Sequence, residues 1–156
     1  MAKYSGKDLS TIARELRKMD DKTILAAFRK ELRKSAQPLV PAVRASIRRI
    51  PSSRPYSASG LRGQMSRATT LQVKTAGKQA SVIIRVDGRK MPARAKAVQA
   101  YMEGSKPRWR HPVFGNTAAW VQQPAQPYFY KVMRAAGPKA RLAVNRVISN
   151  VSKKIT

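Results

Sequence analysis

Thr69-Thr-Leu-Gln-Val-Lys-Thr75 and Ala80-Ser-Val-Ile-Ile-Arg-Val86 are the stretch that decides the class of this fold. The first run alternates in side-chain character with period two. The second is rich in β-branched residues and is closed by Asp87-Gly88. Gly77-Lys78 between them supplies a turn, so residues of about 67–86 read as a β-hairpin. On either side of it the apolar spacing changes to three and four, the period of a helix.

Upstream, Asp8 is placed to cap a short helix carrying Leu9, Ile12, Leu16 and Met19. Asp20-Asp21 offers a second cap. From Lys22 a longer helix aligns Ile24, Leu25, Phe28, Leu32, Leu39, Val43 and Ile47, with a kink or break expected at Pro38 and Pro41. Its other face holds Arg29, Lys30, Arg33, Lys34, Arg44, Arg48 and Arg49, which makes it basic and amphipathic. Residues 51–60, rich in Ser and Pro, read as a loop, and 51–62 as a flexible basic arm.

Downstream, residues 93–103 read as a short helix with Gly104 as its C-cap. Residues 105–125 read as a long irregular insert, again an arm, with a further strand near 118–122 around Trp120-Val121. Pro127 suits the first turn of a C-terminal helix, which Gly137-Pro138 is expected to interrupt. The sum is an α+β fold in one domain, 1–156. Its small, mostly antiparallel sheet is packed by a long N-terminal helix and a C-terminal helix.

Charge bounds the function. Thirty-three Lys and Arg stand against seven Asp and Glu, a net charge of +26. No acid lies between Arg33 and Val86, or after Glu103. Such a chain repels itself and is expected to work beside a polyanion or an acidic partner. The absence of cysteine excludes disulfides and thiolate metal sites. No apolar run reaches the ~18 residues of a membrane span, and the start shows no signal-peptide core, so no membrane partner is expected.

The chemistry-bearing residues point away from catalysis. His111 is the single histidine and is read as a packing or turn residue before Pro112. Glu103 and Asp87 are the only acids after Glu31 and form no motif; Glu103 is expected to pair with an arginine or a partner subunit. No phosphate-cradling, zinc or nucleophile motif is present. The expectation is no enzyme, no metal and no cofactor. Phosphate contact is assigned to Arg44, Arg48, Arg49, Arg54, Arg62 and Arg67, without a helix-turn-helix, zinc-finger or RNA-recognition signature. The aromatics of 109–130 are either base-stacking platforms or, the favoured reading, core anchors and protein–protein hot spots. Contact between subunits is assigned to Trp109, Arg110, His111, Phe114, Trp120, Tyr128 and Glu103.

Four segments in order carry a family resemblance: Leu32-Arg-Lys-Ser-Ala-Gln-Pro-Leu-Val-Pro-Ala-Val-Arg44, Gly60-Leu-Arg62, Tyr101-Met-Glu-Gly-Ser105, and Gln126-Pro-Tyr-Phe129 running into Ala135-Ala136. Over roughly residues 22–150 the chain resembles the tail-completion, or head–tail joining, proteins of the neck of long-tailed double-stranded DNA phages. The segment Arg110–Asn116 with Trp120-Val121 is similar to actinobacterial-phage versions. The resemblance implies a homo-oligomeric ring of about six or twelve copies at the head–tail junction of the virion, assembled in the host cytoplasm. Duplex DNA would lie in its lumen and other neck and tail proteins would be its neighbours. It carries over no catalytic residue. Two alternatives stay open: a tail terminator capping the tail tube, and a free, sequence-independent nucleic-acid-binding protein.

Overall fold

The computed structural model describes residues 6–113 and 116–155. Among them the chain forms α1 (Gly6–Lys18), α2 (Lys22–Ala36), α3 (Leu39–Arg48), α4 (Leu61–Ala68), β1 (Thr69–Lys74), β2 (Ser81–Val86), α5 (Val98–Glu103), β3 (Arg108–Val113), β4 (Asn116–Pro124) and α6 (Phe129–Ile155). Two short 3₁₀ turns, Gly88–Lys90 and Ala93–Ala95, lie between β2 and α5. The fold is α+β, with two antiparallel two-stranded sheets, β1-β2 and β3-β4.

The chain condenses into two units, each made of non-adjacent segments. One comprises residues 1–41, 70–85 and 135–156; the other comprises 42–69 and 86–134. The boundaries fall inside α3 and α6 and at the ends of the hairpin.

The first unit buries Leu9, Ile12, Ala13 and Leu16 of α1 against Phe28 and Leu32 of α2, Ala80, and Ile148 of α6. Val73 and Val82 bring the hairpin onto this core. Asp21 caps α2, its carboxylate accepting from the backbone N–H of Thr23 at 2.9 Å and of Ile24 at 3.1 Å. Basic side chains reach β1 and the residue that follows it. Arg17 donates to the carbonyl of Thr75, Arg29 to its hydroxyl, and Arg33 reaches the carbonyl of Leu71 at 3.5 Å. Cations along an edge strand also discourage pairing with a foreign strand.

The second unit has its own core: Val43, Ile47 and Ile50 of α3 and its exit, Met65 and Ala68 of α4, then Met91, Ala95, Met102 and Tyr128. Here Gly63 is required by close approach. It is buried in α4, and a Cβ on it would collide with the backbone carbonyl of Ala58.

Several expectations need amending. Helix α1 starts at Gly6, so Asp8 lies within its first turn. The break at Pro38 is present, whereas Pro41 is absorbed in the first turn of α3, where a missing N–H costs nothing. Residues 67–68 end α4, and the hairpin begins at Thr69. The 93–103 helix is a 3₁₀ turn followed by the shorter α5. The strand near 118–122 exists as β4, but it pairs with β3 in a second sheet, with Arg108 opposite Pro124 and His111 opposite Val121. The 105–125 insert is therefore largely a hairpin. Gly137-Pro138 does not interrupt α6, which runs through it. Arg134 and Pro138 both lie on the exposed side, so the carbonyl that loses its donor faces water.

Candidate nucleic-acid interface

The six arginines named for phosphate contact all lie in the second unit, on α3, α4 and the loop between them, and they divide into two kinds. Arg44, on α3, donates through Nε to the carbonyl of Ser66 at 3.0 Å and through Nη2 to that of Thr69 at 3.1 Å, at the C-terminal end of α4. Arg62, on α4, donates to the carbonyls of Arg48 at 3.3 Å and Ile50 at 3.0 Å, at the C-terminal end of α3. Each helix thus neutralises the other's negative end, where carbonyls lack partners. Arg62 also binds the carbonyl of Arg54 at 2.6 Å, and Arg67 binds that of Ala58. With Gln64 on Ser59 at 2.8 Å, these bonds tie the 51–60 loop to the start of α4. The expected flexible arm is a tethered loop: its backbone is held from below while its side chains stay in solvent.

Arg48 ends α3 and Arg49 follows it, both exposed, and Arg54 and Arg67 are exposed as well. The shared bonds to Arg62 bring the backbone of Arg48, Ile50 and Arg54 around one guanidinium. Tyr56, 45% exposed, lies with its ring 5.9 Å from that guanidinium. The sequence does not single out Tyr56, because no residue pattern announces a loop tyrosine folded back onto an arginine six residues further along the chain. The result is a basic surface with one exposed aromatic, suited to phosphate contact.

The unit's own acids offset little of this charge. It holds 15 Lys and Arg against two acids, a net of +13. Asp87 is taken up by Arg89, with Nε and Nη2 at 3.0 and 2.9 Å; this hydrogen bonding and charge hold the Arg89 guanidinium above its usual pKa. Glu103 was expected to meet an arginine or a partner. Its carboxylate instead accepts from the backbone N–H of Tyr128 at 3.0 Å, Phe129 at 2.8 Å and Tyr130 at 2.8 Å, capping α6. A carboxylate outcompetes water for three orphan donors at a positive helix end.

The first unit carries 18 Lys and Arg against five acids, again +13. Lys139, Arg146 and Lys153 line one exposed face of α6 at intervals of seven. The sequence-based set omitted them, although that spacing was the available signal.

The residues named for subunit contact separate as well. Tyr128 is 3% exposed; its hydroxyl donates to the carbonyl of Gln99 at 3.2 Å, and burial, then the charge of Glu103, push its pKa upward. It is a core residue and offers no outer surface. Trp109 stacks on Tyr101 at 5.4 Å and lies 4.7 Å from the ring of His111. The His111 Nδ1 is 3.1 Å from the carbonyl oxygen of Pro112 and its Nε2 3.0 Å from the side-chain oxygen of Gln123, so the ring buttresses the hairpin. Phe114 lies outside the described residues. Trp120 is 50% exposed, with its Nε1 satisfied by the carbonyl of Thr117 at 2.8 Å and the Arg110 guanidinium 5.8 Å from its ring. Val121, on the opposite strand face, is 43% exposed.

Among the described residues no group of three or more His, Asp or Glu could hold a metal ion, and no helix is long and apolar enough to cross a membrane. Compared with known proteins, the chain matches no family model, no curated protein and no solved structure.

Proposed function

We propose that the protein is a structural subunit of a phage neck, assembling with copies of itself into a ring that joins the DNA-filled head to the tail. The observation that carries this reading is the charge left over in each unit. Each unit carries +13 after its own acids are counted, so neither can balance the other and the balancing charge comes from outside the chain. Arg48, Arg49, Arg54 and Arg67 are exposed together and suit the phosphates of duplex DNA, or the acids of a neighbouring ring, without reading bases.

The motif order behind the resemblance also gains a physical sense. Glu103-Gly104 and Pro127-Tyr128 are 24 residues apart in chain order, yet they form one joint in which the end of α5 caps the start of α6. Gly104 is needed there for its left-handed φ of 104°, which closes α5 and turns the chain away.

Electron microscopy of the particles of the phage encoding this chain tests the proposal. The expected result is a ring at the head–tail junction, and, when the gene is deleted, filled heads beside unjoined tails. Normally joined particles from the deletion would overturn it. Density capping free tails would assign the tail terminator instead. Absence from the virion, together with salt-sensitive binding of duplex DNA or RNA by the purified chain, would assign the free nucleic-acid binder.

A further inference from the structure

The β3-β4 hairpin and a hollow in the first unit are left open in the same chain, and their chemistry matches. A two-stranded hairpin by itself is marginal in water. Along β4 only Ala119 and Gln123, which share one face, are half-buried, so the other face, which carries Trp120, lacks a cover. Its most exposed apolar side chain is Trp120, whose single polar atom is already hydrogen-bonded. What remains is an apolar ring with a cation, Arg110, over it.

The hollow, of about 360 Å³, lies among Leu16, Met19, Ile24 and Phe28, with Glu31 and Lys154 also lining it. This is room for roughly a dozen waters, more than one indole requires. Met19 is 51% and Ile24 39% exposed there, an apolar surface that water wets at a cost. Glu31 is one of seven acids in the chain, and among the described residues its carboxylate has no ion pair.

We infer that Trp120 of one copy inserts into this hollow of a second copy, bringing Arg110 onto Glu31. The inference deepens the ring reading above and rests on it. A knob and a hole on different surfaces of one chain make a head-to-tail contact, which closes into a ring when the rotation permits. The occupant is a second copy because the charges agree: a cationic knob meets an acid in a chain that has few acids to offer. The overall +26 opposes the contact until salt or DNA screens it.

Sedimentation velocity of the full-length chain tests this, in about 0.3 M salt, where the Debye length is roughly 5 Å and long-range repulsion is screened. The wild type assembles. Trp120→Ser, which spoils the knob, and Ile24→Asp, which spoils the hole, each sediment as monomers. Mixed together they form a two-chain species and nothing larger, because each supplies one intact surface. Glu31→Arg weakens assembly at least tenfold, and Arg110→Glu added to the same chain restores it. Assembly of Trp120→Ser like the wild type, a mixture that stays monomeric, or a wild type that never assembles would overturn the inference. A ring seen in the particle with Trp120 outside the hollow would remove this contact and leave the neck reading standing. Trp120-dependent assembly of a protein absent from the particle would do the reverse.

Discussion

The carboxylate of Glu103, the last residue of α5, stands 3.0 Å from the backbone nitrogen of Tyr128, and the ring of Tyr128 is buried in the core of the second unit. One acid thereby fixes where the longest helix of the chain begins, and one tyrosine anchors that start. The hydroxyl of Tyr128 returns to α5 through the carbonyl of Gln99 at 3.2 Å, so the two elements hold each other at both ends of the joint.

Glu103→Ala should be the most damaging change at an acidic residue. It removes a charged acceptor from three backbone donors, a loss of about 2–3 kcal/mol. At this chain length that lowers the melting temperature by roughly 4–12 °C. Glu103→Gln, which keeps one acceptor oxygen, should retain part of the stability. Thermal unfolding followed by circular dichroism decides it; an unchanged midpoint in Glu103→Ala would remove the cap from the account.

Tyr128 predicts an alkaline limit. Its folded pKa is raised above the ordinary 10.0, first by burial and then by the charge of Glu103. The folded state therefore holds the phenol proton more tightly than the unfolded one. This contribution is complete below pH 10 and is lost as the pH rises beyond it. Tyr128→Phe has no proton to lose, so its stability should fall less steeply than the wild type's above pH 10. Urea unfolding of both proteins across pH 8–11 checks the slope, and parallel curves would refute it.

The two kinds of arginine should separate in experiment. Arg44→Ala and Arg62→Ala each take away a guanidinium that closes a helix end, and each should cost about 1–3 kcal/mol of stability. Arg48→Ala and Arg49→Ala should change stability by no more than about 0.5 kcal/mol. If these two meet phosphate, each should lower the salt slope of duplex-DNA binding by roughly one. Fluorescence anisotropy over a salt series measures this; unchanged slopes would take both residues out of the interface.

Gly63→Ala should loosen the loop it supports. The added methyl meets the carbonyl of Ala58, so either α4 or residues 57–58 must move, at a cost of about 1–3 kcal/mol. Faster proteolytic cleavage within 51–60 than in the wild type is the expected sign, and equal rates would show that the loop is held by Arg62 and Arg67 alone.

Elements with a local cause were legible in the sequence. Asp21 as a cap, the break at Pro38, Gly104 as a helix terminator, the 69–86 hairpin and the basic character of α2 all follow from short-range rules of backbone geometry and periodicity. The α+β class follows from those elements together. Helix α4 escaped because it is eight residues long and carries a glycine whose purpose, the approach of the loop carbonyl, lies outside the helix.

Tertiary structure alone decided how the polar groups were spent. Arg44, Arg48, Arg49 and Arg62 are alike in the sequence, but two close helix ends and two face solvent, because an arginine goes to whichever carbonyls the packing brings within reach. The partner of Glu103 and the pairing of β4 with β3 instead of with the first hairpin have the same origin. Each depends on groups far apart in the chain, whose meeting is fixed by the burial of two cores and not by any neighbour in sequence.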